Sequence, residues 1–143
     1  MDEKILGYIA GIIDGEGCIG AYNTRTKKDR RASYYQLTVR VAMKSPRVIT
    51  FLKEHFPCNI NTYQKGDSTI YAWQLRNRNA ESFLRVIASY LIEKKEQAEL
   101  AIEFCEFRRK QRSEHPRNAK YTDDMLDERD VYVDKLKLLK RGQ

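Results

Sequence analysis

Residues 8 to 17 read Tyr-Ile-Ala-Gly-Ile-Ile-Asp-Gly-Glu-Gly, an apolar helical stretch that ends in two carboxylates separated by one glycine. Gly7, Gly11 and Gly15 recur at i, i+4 and i+8 and so fall near one helix face. An interior glycine costs a helix roughly 1 kcal/mol relative to alanine. A helix that bears this cost repeatedly on one face is one that another backbone approaches closely. Asp14 and Glu16 then fall at the helix C-terminus, where the macrodipole is negative and acids need a compensating partner such as a cation. Two readings follow. One is a helix–helix seam that delivers acids to a bound metal. The other is a core helix ending in a Gly-rich turn, with Asp14 capping the next turn and Gly15 and Gly17 left-handed. A membrane-dimerising G-x-x-x-G helix does not fit, because the apolar run is roughly nine residues against the ~20 that span a bilayer.

The charge distribution points to the partner. The 143 residues suit one domain with a sizeable core, and a net charge of +7 favours an anionic ligand. From Tyr22 to Val48 there are eight Lys/Arg against one acid, Asp29, so this segment alone carries the surplus. Arg25, Lys27, Lys28, Arg30 and Arg31 form a charged hairpin loop, and the β-patterned segment after it makes a phosphate-facing surface. Cys18, Cys58 and Cys105 are odd in number and widely spaced, which supports neither a zinc site nor a disulfide framework. A reducing intracellular compartment is expected. An organelle (chloroplast or mitochondrion) and a bacterial or phage cytoplasm fit equally. His55 and His115 stand far apart and form no constellation, and no signal peptide or membrane span is visible.

Periodicity gives the elements. A helix is predicted over Glu3 to Asp14 and a strand over Cys18 to Thr24, with Ile19 and Ala21 inward and Gly20, Tyr22 and Thr24 outward. Tyr34 to Met43 alternates cleanly: Tyr35, Leu37, Val39, Val41 and Met43 on one face, Tyr34, Gln36, Thr38, Arg40 and Ala42 on the other. Ser45-Pro46 starts a helix that runs on through Arg47 to His55. Asn59 to Lys65 and Thr69 to Arg76 form a hairpin across Gly66-Asp67-Ser68. Ile60 and Thr62 face inward with Tyr71, Trp73 and Leu75, while Asn61, Tyr63, Lys65, Ala72 and Gln74 face outward. Asn79 caps a helix over Ala80 to Ile92. Lys94 to Arg112 is a long amphipathic helix, Ser113 to Tyr121 a linker, and Asp124 to Leu139 a last helix. The order αββαββα with added C-terminal helices makes an α+β domain with an antiparallel sheet. Its core spans residues 1–112, and 113–143 supply a linker and helix of the same domain.

The stretch Ile9-Ala10-Gly11-Ile12-Ile13-Asp14-Gly15-Glu16-Gly17 resembles the nine-residue signature of the LAGLIDADG homing endonucleases. Gln36 to Val41 and Lys94 to Leu100 resemble further segments of that family, and the likeness covers roughly residues 4 to 110. It implies the family's fold and metal-dependent DNA cleavage. A single signature copy implies a homodimer, with Gly7, Ala10 and Gly11 letting two signature helices pack at the two-fold axis. Glu16 matches the metal-binding acid, with Gly15 beside it in the metal site. Lys94 and Arg47 match basic residues near the scissile phosphate, and Asp14 takes a supporting role. The chain departs from the pattern at Met43, where relatives often carry a polar residue such as Gln that orients water.

Two carboxylates brought side by side cannot both ionise without cations between them. Mg²⁺ suits oxygen ligands, and Mn²⁺ is expected to substitute. The outward sheet face, with Tyr22, Thr24, Tyr34, Gln36, Thr38, Arg40, Asn61, Tyr63, Lys65, Ala72 and Gln74, is the proposed reader of double-stranded DNA. A strand of about nine residues spans ~30 Å and base pairs rise about 3.4 Å, so one subunit follows roughly 8 to 9 base pairs. Three functions are weighed: a homodimeric endonuclease cutting a long near-palindromic site, a maturase acting on host intron RNA, and a catalytically silent DNA-binding protein.

Overall fold

The computed structural model describes residues 1–24, 34–116 and 121–142. Helix α1 (Glu3–Glu16) is capped by Asp2, whose carboxylate accepts from the Lys4 N–H at 2.8 Å. It runs two residues past the expected end, so both signature acids lie in its last turns. Strand β1 (Gly17–Thr24) follows directly. Gly17 is extended (φ −85°) and Gly15 helical, so neither takes the left-handed conformation expected of a Gly-rich turn. Close approach is what requires glycine at 17, since a Cβ there would stand 2.8 Å from the Ile13 carbonyl oxygen.

Strand β2 (Tyr34–Met43), helix α2 (Pro46–His55), and strands β3 (Asn61–Lys65) and β4 (Ser68–Arg76) complete an antiparallel sheet of order β1-β2-β4-β3. The β3–β4 turn is the two-residue Gly66-Asp67. Gly66 has φ +61°, as the first position of a type II′ turn requires.

Helix α3 (Asn77–Ile87) starts three residues before the expected Ala80 and ends five before Ile92. A 3₁₀ turn (Ala88–Tyr90) follows, then helices α4 (Lys95–Ser113) and α5 (Asp123–Arg141). Asn79 is not the cap. Asn77 makes the corner instead, at φ +49°, with its Oδ1 accepting from the Leu37 N–H at 3.2 Å.

The helices cover one sheet face. Ile19, Ala21, Tyr35, Leu37, Val39, Val41, Trp73 and Leu75 point into the core they share with Leu6, Ile9 and Ile13 of α1 and with Leu126, Val133 and Leu136 of α5. Trp73 donates its indole N–H to the Phe56 carbonyl and meets the Phe83 ring edge to face. Thr62 was expected to face the core but is exposed: β3 packs on β4 at an edge that no described helix covers as α5 covers β1 at the other, and it is exposed along its whole length. No described helix is long and apolar enough to cross a membrane.

Candidate active site and nucleic-acid face

Asp14 joins two helix ends. Its carboxylate accepts from the Ile92 N–H at 2.8 Å and the Lys94 N–H at 3.0 Å, just ahead of α4. Lys94 Nζ donates in return to the Asp14 carbonyl oxygen at 2.7 Å. An anion thus sits at the positive end of α4 and a cation at the negative end of α1, each where the dipole favours it. Each oxygen of Asp14 accepts one backbone N–H, so the residue clasps the end of α1 to the start of α4. Lys94 is 9% exposed, held beside the signature helix 80 residues away in sequence. Glu16 is exposed on the last turn of α1, and Gly15 beside it is exposed too. Arg47 is exposed on the first turn of α2. No hydrogen bond or ion pair among the described residues ties it to Glu16 or Lys94.

The glycine stripe is open. No atom lies within 4 Å of a Cβ built at Gly7, Gly11 or Gly15. Tyr8 beside it is 54% exposed and stands edge to face with Phe51 of α2. Ala10 does not belong to the stripe: it is 1% exposed and packed in the subunit's own core.

The strand register sets the residues of the opposite sheet face side by side. Tyr22 pairs with Gln36, Arg40 with Gln74, and Asn61 with Ala72. Arg40 reaches across β4 to β3, where its Nη2 donates to the Tyr63 hydroxyl at 3.5 Å and its guanidinium stands 5.8 Å from that ring's centre. Tyr22, Asn61, Tyr63 and Lys65 are exposed, and Gln36, Arg40 and Gln74 half-buried. Two residues expected on this face offer little surface. Thr38 is 4% exposed beside Gly20, over which the Tyr22 ring folds, and Ala72 is 2% exposed between Ala42 and Asn61. Arg25, Lys27, Lys28 and Arg30 lie outside the described residues, as do the side chains of Thr24 and Tyr34. Met43 packs against the core rather than on the reading face.

One cation near the site had no sequence signal. Lys140, at the end of α5, stands 6.0 Å from the Tyr22 ring centre on β1, the strand that follows Glu16. Only the packing of α5 along β1 brings it there.

A polar sheet face, an exposed acid at the end of α1 and a lysine held on the carbonyl two residues before that acid are parts suited to binding and cutting a phosphodiester polymer. A family model for the LAGLIDADG endonucleases matches residues 9–106, more than half of the chain, and the chain belongs to that family. The family is one of endonucleases.

Solved structures share the fold. The homing endonuclease I-CvuI, in complex with DNA and Mg, superposes with a TM-score of 0.76 at 16% identity, over 96% of this chain and 82% of that one. An archaeal intron-encoded homing endonuclease complexed with DNA gives 0.70 at 18%, over 96% and 86%. The homing endonuclease I-TnaI gives 0.63 at 17%, over 96% of each chain. Among curated proteins, none matches the sequence.

Proposed function

We propose that the protein acts as a homodimer that makes double-strand breaks in a long, near-palindromic DNA site, with Mg²⁺ held between Glu16 of the two subunits. The exposed glycine stripe of α1, leading directly to the exposed Glu16, carries this reading. Gly7, Gly11 and Gly15 leave room for a second backbone that the subunit itself does not fill.

Within one chain, the described residues include no group of three His, Cys, Asp or Glu side chains able to hold a metal. The oxygen donor present is Glu16, a hard ligand suited to Mg²⁺ or Mn²⁺, and a second copy across α1 supplies the matching carboxylate. The metal, when bound, polarises the phosphodiester and activates water. Glu16 places it, and the α1 seam sets the spacing of the two carboxylates. Lys94, held by Asp14, contributes a fixed positive charge at the strand being cut, where a preorganised cation stabilises charge developing on phosphate. Tyr22, Gln36, Arg40, Asn61, Tyr63, Lys65 and Gln74 read the duplex. A reducing intracellular setting fits the three free thiols.

The test is selection from randomised duplexes in Ca²⁺ followed by incubation in Mg²⁺. The reading expects recovery of a near-palindrome of about 16 to 18 base pairs, twice the span of one sheet, and cutting of both strands. A site bound tightly but left intact in Mg²⁺ and Mn²⁺ refutes cleavage and favours the DNA-binding alternative. Binding of host intron RNA in preference to any duplex favours the maturase.

A further inference from the structure

A cavity of about 290 Å³ lies between the start of α3 and the far end of α4, lined by Asn77, Arg78, Glu81, Arg108, Arg109 and Arg112, with Cys105 also in its wall. Glu81, the acid in that wall, is already taken. Arg109 grips it with both guanidinium ends at 2.6 and 2.8 Å, and Arg85 adds a third bond at 3.0 Å. Among the described residues, no acid is paired with Arg78, Arg108 or Arg112 in an ion pair.

Two buried donors sharpen this. Arg108 Nε has no hydrogen-bond partner among the described residues. Arg129, which adds its charge to Arg108 from α5, is 4% exposed; its Nε is held by Gln111 at 2.6 Å, while one terminal nitrogen has no acceptor. Burial, and then the charges of Arg129 and Arg112, hold Arg108 below the usual guanidinium range. The Arg129 guanidinium stacks 4.3 Å from the Tyr121 ring centre, but a buried donor left without an acceptor remains costly. The first turn of α3 adds to the same field, since it has no acidic residue and no side-chain cap. Asn77 commits its oxygen to Leu37, so what it offers the cavity is an amide donor.

We propose that this cavity is a phosphate-binding site, separate from the DNA-reading sheet face. Four arginines line its wall against one acid, Glu81, which Arg109 and Arg85 already hold, and guanidinium forks match the oxygens of a phosphate group. α4 rises about 1.5 Å per residue, so Arg108 stands roughly 20 Å along the helix from its start beside Lys94. The phosphate is therefore not the one being cut. It comes either from the backbone of bound DNA outside the cleavage centre or from a free phosphate species.

The experiment titrates inorganic phosphate into the full-length protein at constant ionic strength, following thermal denaturation and ³¹P line width. Wild type is expected to saturate in the millimolar range. Arg108→Gln and the exposed Arg78→Gln are expected to weaken binding at least tenfold. Lys110→Gln, on the same helix but outside the cavity, is expected to leave it unchanged. If Arg108→Gln does not fold, Arg78→Gln decides. No saturable response in wild type, or equal affinity in Arg78→Gln and Lys110→Gln, overturns the proposal. The salt dependence of target-duplex binding then identifies the source. A slope reduced by about one phosphate contact in Arg78→Gln marks a DNA phosphate, and an unchanged slope marks a free one.

Discussion

Asp14 and Glu16 are two positions apart in one signature and do different work. Asp14 turns back to bond the Ile92 and Lys94 N–H groups, while Glu16 faces outward. Asp14→Asn replaces one accepting oxygen with an NH₂ that opposes a backbone N–H, and it removes the charge at the head of α4. A loss of about 1–3 kcal/mol follows. Urea unfolding checks it, with a lower midpoint at unchanged slope expected. Unchanged stability with abolished cleavage would instead make Asp14 a chemical group. The sequence placed Glu16 through its signature position, but Asp14's partners were not legible, because they lie 78 and 80 residues away and are backbone groups without side-chain identity.

At the scale of elements, Gly7, Gly11 and Gly15 of α1 form an open ridge, and Gly11→Leu separates two roles. Inside the subunit a side chain at 11 meets nothing within 4 Å, and leaving glycine favours the helix. Across a helix–helix seam it overpacks. The monomer is expected to fold as well as wild type or better, and light scattering at micromolar concentration is expected to show loss of the dimer. A dimer that survives Gly11→Leu rules out α1 as the seam.

Ala10 shows how such a face is misread. It follows Gly7 by three residues but precedes Gly11 by one, about 100° around the helix, which turns it to the core with Leu6, Ile9 and Ile13. β2 was legible throughout because one face alternates apolar against the helices. The expected alternation of β3 was not realised, since β3 packs on β4 and lacks the helix cover that buries Ile19 and Ala21 of β1, the other outer strand.

Helices α3 and α4 are joined through Glu81. The Arg109 hydrogen bonds first, and then those of Arg85, against the opposing cost of burial, pull its carboxyl down to about 2. A depressed carboxylate pKa gives stability that is full above the unfolded value near 4.3 and is lost as pH falls through about 2. Arg85 and Arg109 are half-exposed, 44% and 54%, so screening reduces the contribution to about 1–2 kcal/mol. Glu81→Gln is expected to destabilise by that amount at pH 7, with the gap to wild type closing between pH 4 and 2. A gap constant down to pH 2 would show that the charge contributes nothing.

Over the whole molecule, a net charge of +7 meets a sheet with one polar face, and its strand β1 follows directly on α1, whose last turns carry Glu16 and the Asp14 carbonyl that Lys94 holds. Strand alternation made the exposed polar face of the sheet legible, with Tyr22, Asn61, Tyr63 and Lys65 outward. The arrival of Lys140 on that face was not, because it depends on how α5 packs along β1. The central claim is that Glu16 from each of two subunits holds the metal for cleavage. It is tested most directly by Glu16→Gln, which keeps size and much of the hydrogen bonding but removes the charge that holds the cation. Cleavage of the selected site is followed on gels in Mg²⁺ beside a binding titration in Ca²⁺, for variant and wild type. The account predicts that cleavage is abolished while binding is equal or tighter, because two carboxylates beside phosphates have been neutralised. Wild-type cleavage by Glu16→Gln would contradict it.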